Sequence, residues 1–451
     1  GEGDERGRGA AAGAGGGGPG DKAGGAGGAG GGGKAGGDNV DGVGGDPSPR
    51  AESGIQGVRR DSLAQAKLGS SMQYDDARRV AKQAKKQLVP RKAPRKAVAL
   101  FGHLPQYDHE ALHDSLQDAG FNNATLHPAI TQLGTRFASS AITGGRTRCV
   151  ALLNALKELI KDYQTPPERV LSRDLTGRLN TMVSFLVNCR PLSVSMGNAI
   201  RSLKIKITHV GQLSIPDSEA KETLIKHIDS YIQDRIDFAG RVIVEHAVSK
   251  ISDGDVILTF ANSTLVSSVL LKAHAEGRSF RVVVVDARPK LEARTLLKTL
   301  LEAGIRCTYT HLNATSYIMH EVTKVFLGAA ALLSNGTLLS RVGTACVAMV
   351  ASAHRVPVMV CCETCKFSER VQLDSICSNE LGDPDELTRV APGTAPSPLR
   401  GWADVDNLKL LNLIYDATPA EYITMVISEV GMCPPTSVPV ILREYAKDAV
   451  A

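Results

Sequence analysis

The sequence is poor in aromatic residues, which make up 4% of it, with a single tryptophan. Only one aromatic side chain, Tyr74, falls within its basic run, so base stacking of the kind single-strand binders use has no repeated platform there. No apolar run reaches the roughly 18 residues that a membrane span needs. No Gly-x-Gly-x-x-Gly follows the first predicted strand, and no Walker-type loop occurs anywhere, which removes the common nucleotide fingerprints. Paired Cys-x2-Cys hooks are also missing. Cys362 and Cys365 form one hook without a second, so a tetrahedral thiolate site is not expected. The nine cysteines are odd in number and scattered, a poor disulfide framework that fits a reducing compartment and hence the cytosol. The opening Gly1-Glu2-Gly3-Asp4 does not read as a secretory signal.

What is present falls into three segments. About half of the 45 glycines lie in the first fifty positions, where nothing periodic is apolar. Such a stretch cannot bury enough surface to offset its backbone entropy and is expected to be disordered. From Arg59 to Lys96 basic residues dominate, and Tyr74 to Leu88 has a helical pattern that Pro90 and Pro94 end. This arm reads either as an electrostatic contact for RNA, ribosome or an acidic protein, or as a solvated basic helix leading into the fold. Residues 1–97 are therefore assigned to a tail.

Residues 98–245 carry helical periodicity. Leu152, Leu153, Leu156, Leu159 and Ile160 mark one apolar face, Arg173 to Val187 and Met196 to Ile207 mark others, and Glu219 to Val248 carries a long isoleucine stripe. Over 246–451 the pattern changes to short β-branched runs alternating with helical stretches. The expected strands are Val256–Phe260, Phe280–Val285, Ile305–Tyr309, Val325–Leu333 and Val356–Cys361. The helices between them are Leu265–Ala275, Leu291–Ala303, Ser316–Lys324 and Gly343–His354. Strands apolar on both faces with helical crossovers imply a doubly wound parallel sheet, a Rossmann-like α/β domain behind an all-helical one. Asp383 to Asp406 reads as a loop, Pro419 to Val430 as a helix, and Val438 to Leu442 as an edge strand.

Ligands of such sheets bind beyond the carboxyl ends of the strands. There the sequence places Asn262, Ser263 and Thr264, Arg288, Asn335 and Lys366, which outline an anion-friendly crevice or serve as ordinary helix caps and turns. Gly144-Gly145-Arg146 lacks a preceding strand and is set aside.

Several long segments resemble one family. They are Asp255–Phe260, RVVVVDARP at Arg281–Pro289, NGTLLSRVGT at Asn335–Thr344, VPVMVCCETCKF at Val356–Phe367 and SNELGDP at Ser378–Pro384. Together they are similar to the alpha/beta/delta family of eukaryotic initiation factor 2B subunits. NCRPLSVSMGNAIRSL at Asn188–Leu203 and LFGHLPQY at Leu100–Tyr107 are closest to its delta members. The likeness covers about residues 98 to 445.

The resemblance implies a non-catalytic, cofactor-free subunit of the guanine-nucleotide exchange factor for initiation factor 2. Its partners would be the alpha, beta, gamma and epsilon subunits and factor 2 itself, whose phosphorylated alpha subunit it would help sense. By the same match, Arg190, Ser195, Asn198, Arg201 and Lys204 become candidates for the partner-binding surface, although Leu192, Met196, Ile200 and Leu203 also give that segment an inward face. The fold is shared with sugar-phosphate isomerases acting on methylthioribose 1-phosphate or ribose 1,5-bisphosphate, the alternative reading. Ala261 stands where those enzymes carry a catalytic cysteine, and Ala330 where they carry a catalytic aspartate. Glu292 replaces a substrate-binding glutamine, and Ser340-Arg341 an Asn-Lys pair. Methyl groups do no general acid/base work, so the resemblance predicts a vestigial crevice with no bound metabolite.

Overall fold

The computed structural model describes residues 96–104, 126–213, 215–390 and 397–448. The Gly-rich stretch, most of the basic arm and its expected helix lie outside them.

Five helices open the fold: α1 (Pro128–Ala138), α2 (Gly145–Asp162), α3 (Leu171–Cys189), α4 (Val194–Gln212) and α5 (Asp217–Ile232). The last four show the apolar spacing expected of them. On α2 the positions Cys149, Leu152, Leu153, Leu156, Leu159 and Ile160 are all buried, meeting Phe137 of α1, Phe185 of α3 and Met196 of α4 in one core. Each fully buried aliphatic side chain there contributes about 1.5–3 kcal/mol of transfer free energy.

α5 does not stop where its stripe shifts phase. It continues through a π-helical turn, Gln233–Phe238, into α6 (Ala239–Val248). That turn rotates the apolar face, as a wider turn must. Leu224, Ile228 and Ile236 therefore face the helical core, while Ile243, Val244 and Ala247 face the sheet core. The single helical run expected over Glu219–Val248 thus serves both cores.

The sheet is built from β1 (Val256–Phe260), β2 (Arg281–Asp286), β3 (Arg306–His311), β4 (Lys324–Gly328), β7 (Val358–Cys361), β10 (Met425–Ser428) and β11 (Gly431–Cys433), in the order β11-β10-β7-β4-β1-β2-β3. All pairings are parallel except β10 with β11. The crossover helices are α7 (Thr264–Ala275), α8 (Ala293–Glu302), the short α9 (Thr315–Ile318) and α10 (Thr344–Ala353). β1 and β2 are buried on both faces apart from their first residues, as continuous Val/Ile/Leu runs require. The order reverses between β1 and β4, which makes this the switch point of the doubly wound sheet.

A second sheet of four strands lies beside the first, in the order β8-β5-β6-β9: β5 (Ala331–Leu333), β6 (Leu338–Arg341), β8 (Phe367–Ser368) and β9 (Tyr415–Thr418). Here four expectations need correction. The run Val325–Leu333 is two strands, β4 and β5, in different sheets, because the chain bends at Gly328-Ala329-Ala330. Ser316–Lys324 is helical only at its start, then tightens into a 3-10 turn at Met319–Glu321. Pro419–Val430 is strand β10 after a 3-10 turn rather than a helix: its Val426 and Ile427 are fully buried on opposite faces of the sheet. Val438–Leu442 opens helix α11 (Val438–Asp448), with Val438 buried beneath the sheet. Short apolar runs carry no reliable period, and burial on both faces made a strand of Met425–Ser428.

Gly343 ends the turn from β6 into α10 at φ 106°, and a Cβ there would lie 2.6 Å from Cζ of Phe260. Gly343→Ala should destabilise the fold by about 2–4 kcal/mol, summing strained backbone and overpacking. Urea unfolding followed by the fluorescence of Trp402, which is buried, measures it.

Candidate functional site

At the switch point the tips of β1 and β4 part and open a crevice of about 1460 Å³. β1 runs into Ala261, whose φ of 56° is left-handed, and the chain turns there while the Ala261 amide donates to Val285 at 3.0 Å. Ser263 then caps α7 by accepting from the Val266 amide at 3.4 Å. Gly328 closes β4 against that cap: any Cβ would meet the Ser263 Oγ at 2.4 Å. Ala330 follows, so Ala261, Asn262, Ser263, Thr264, Gly328, Ala329 and Ala330 form one wall. The other wall comes from the helical part, Thr143 to Thr147 at the start of α2, and from Glu386 to Val390.

Seven cations line this space: Arg146, Arg288, Lys290, Arg294, Arg341, Lys366 and Arg389. Four are matched by carboxylates. Arg146 pairs with Asp237 on the π-turn at 2.8 Å, and Lys290 with Glu386 at 2.9 Å. Lys366 pairs with Glu363 at 2.6 Å. Arg341 holds Glu292 through two bonds of 2.8 Å and lies over the Tyr415 ring, 5.4 Å from its centroid. Lys366 and Glu363 are buried together. Burial opposes the charge on each, but their mutual attraction prevails, raising the lysine and lowering the glutamate. Next to them Glu429 accepts from the Thr364 amide at 3.0 Å, and burial raises its carboxyl.

The expected anion residues divide. Asn262, Ser263, Thr264, Arg288 and Lys366 all line the crevice. Asn335 does not: it sits in the β5–β6 turn, donating to the Gln372 carbonyl at 2.9 Å and accepting from the Thr337 amide. Its place after β5 put it in the second sheet, away from the switch point. The segment Gly144-Gly145-Arg146, set aside for want of a strand, lines the crevice, because tertiary packing rather than a local motif brings α2 there. Arg294 and the loop at Glu386–Val390 were missed for the same reason. Ala261 and Ala330, the two substituted positions, share the crevice wall.

The candidate partner surface also divides. Arg190 is 6% exposed and pairs with Glu380 at 2.6 Å, while Ser195 is 1% exposed and donates to Gly145 at 3.3 Å. Asn198 donates to the carbonyls of Cys365 and Phe367, both at 2.9 Å. Ser195 and Asn198 fasten α4, and Arg190 the end of α3, to neighbouring segments, so these three are turned inward and offer little open surface. Arg201 is exposed, and Lys204, half-buried, reaches Asn180 at 2.6 Å.

Cys361 and Cys362 belong to the cores on opposite sides of the sheet, and burial pushes the Cys361 thiol up to about 12 and Cys362 well above its usual value. Among the described residues no group of three or more His, Cys, Asp or Glu is placed to hold a metal ion, and no helix is long and apolar enough to cross a membrane.

Comparison with known proteins places these features among relatives. The model of the initiation factor 2 subunit family matches residues 141–435. A Dictyostelium discoideum protein named translation initiation factor eIF2B subunit delta is 45% identical over 84% of the chain and 61% of its own length. The chain thus spans under two thirds of that relative. A ribose 1,5-bisphosphate isomerase of Pyrococcus furiosus is 32% identical over 65% of the chain and 88% of its own length. A solved chain in the tetrameric eIF2B beta2-delta2 complex of C. thermophilum superposes with a TM-score of 0.62 at 34% identity, over 76% of this chain and 99% of that one.

Two outcomes follow from these contacts. Arg190→Ala strands the buried Glu380 carboxylate and should cost about 3–5 kcal/mol, read by urea denaturation. Asp416 accepts from the amides of Gly343 at 2.7 Å and Ala345 at 2.9 Å, and burial raises its carboxyl from 3.8 to about 6 against those bonds. A raised folded value means that its contribution is full below about 3.8 and is lost as pH climbs through about 6. The Tm advantage of wild type over Asp416→Asn should therefore shrink between those pH values. A constant difference would contradict it.

Proposed function

We propose a function from one premise: this chain belongs to the initiation factor 2 subunit family. It works as a non-catalytic regulatory subunit of the guanine-nucleotide exchange factor for translation initiation factor 2. It assembles with alpha, beta, gamma and epsilon subunits in the cytosol, and helps distinguish factor 2 with a phosphorylated alpha subunit. The likeness to a protein named for the delta subunit, and to a chain solved in a beta2-delta2 tetramer, supports the choice of partners.

One observation carries the non-catalytic part. Ala261 and Ala330 face the same crevice, at the two positions where the isomerase resemblance calls for a thiol and a carboxylic acid. Neither methyl group can give or take a proton, and acid/base catalysis needs such a group within hydrogen-bond reach of substrate. The isomerase reading rests on the P. furiosus relative and on the retained crevice, and it fails on that chemistry.

For the sensing role, Arg201 and Lys204 are the two candidate cations on α4 that are not locked into the interior. A phosphoserine adds about two negative charges and favours such a surface.

Co-expression of the full chain with the beta subunit, followed by native mass measurement, should give a stable complex. A chain that stays monomeric beside it would sink the assembly reading. Turnover of ribose 1,5-bisphosphate should be absent. Arg201→Glu with Lys204→Glu should weaken retention of phosphorylated factor 2 by about tenfold and leave unphosphorylated factor unaffected, the pattern of a rim charge contact. Arg190 is unsuitable for this test, since reversing its charge breaks a buried ion pair.

A further inference from the structure

The charged side chains lining the crevice are mostly cations, yet its best-built cation is already spoken for. The Arg341 guanidinium lies over the Tyr415 ring and grips both oxygens of Glu292 at 2.8 Å. That two-pronged geometry is the one arginine uses for phosphate as well as for carboxylate. The side chains of Arg341 and Glu292 are 19% and 20% exposed, so the pair is largely screened from water. Its third nitrogen, Nη1, is buried with no hydrogen-bond partner among the described residues. Arg288 and Arg294 line the same space, are exposed, and make no ion pair among the described residues.

We infer that Glu292 is an internal anion that keeps the crevice closed to phosphate-bearing ligands: it occupies the guanidinium an oxyanion would need. Three physical points support this. An incoming phosphate would have to break two charge-assisted bonds before forming its own. It would also approach a carboxylate of like sign in a poorly solvated place, where repulsion is little screened. And Glu292 starts from the residue just before α8, outside any strand, so changing its charge leaves the sheet register untouched. Removing that one charge while keeping the shape should convert a self-neutralised pair into an open site for a phosphate monoester or diphosphate. Nε and Nη2, released from Glu292, would be the donors, with Arg288 and Arg294 lining the same crevice. The inference stands apart from the assembly reading, because anion binding by the isolated chain does not depend on sister subunits.

The test uses the purified full chain at fixed ionic strength, with inorganic phosphate and pyrophosphate as probes, followed by isothermal titration and by Tm. Glu292→Gln is isosteric, and Glu292→Ala gives the same loss of charge in different packing, so a folding failure in one leaves the other to decide. Each should bind either probe at least about tenfold more tightly than wild type, the scale of one charge-assisted arginine contact. Adding Arg341→Met to Glu292→Gln should return affinity to the wild-type level. Three results would overturn the inference: wild type binding as tightly as the variants, neither variant gaining affinity, or a gain that survives loss of Arg341.

Discussion

A charge that leaves water must bring its counter-charge along, and the architecture around the crevice follows from that requirement. Lys366 sits where the helical part, β7 and the second sheet meet, and it is tolerated there because Glu363, three residues earlier, is buried with it. Arg190 is admitted to the interior by Glu380, a residue 190 positions away. Arg341 is admitted by Glu292, and Asp255 at the mouth of β1 by Lys324 at the start of β4. Losing one member of such a pair is far more costly than the pair is stabilising, so each acts as a registration point between segments distant in sequence.

The same pairs explain how a crevice can persist without catalytic groups. The switch point of a doubly wound sheet opens whenever the strand order reverses. Its walls here are fixed by backbone geometry, the left-handed turn at Ala261 and the close approach of Gly328 to Ser263. Neither feature needs a thiol or an acid. Shape therefore survives while four of the seven lining cations are neutralised from within.

The π-turn at Gln233–Phe238 links the two halves of this logic. It lets one helical run contribute first to the helical core and then to the sheet core. It also carries Asp237, which neutralises Arg146 on the crevice wall. A regular α-helix over the same residues would put its stripe out of phase with one of the two cores.

Much of the fold could be read directly from the chain. The helices Gly145–Asp162, Leu171–Cys189 and Val194–Gln212 and the strands β1, β2 and β3 emerge from periodicity and β-branched runs, because burial of an amphipathic face or a two-sided strand leaves a pattern in the residues themselves. The wall residues from Asn262 to Thr264, Arg288 and Lys366 were legible too, since a strand's carboxyl end is a fixed place in this topology. Tertiary structure alone decided the split of Val325–Leu333 between two sheets, the strand at Met425–Ser428 and the helix at Val438–Asp448, where a few apolar residues fit either period. It alone turned Arg190 and Ser195 inward, set Asn335 apart, and brought Gly144, Gly145 and Arg146 to the crevice. Pairing between charges far apart in sequence leaves no local signature, so only the folded chain could show which cations were satisfied from inside.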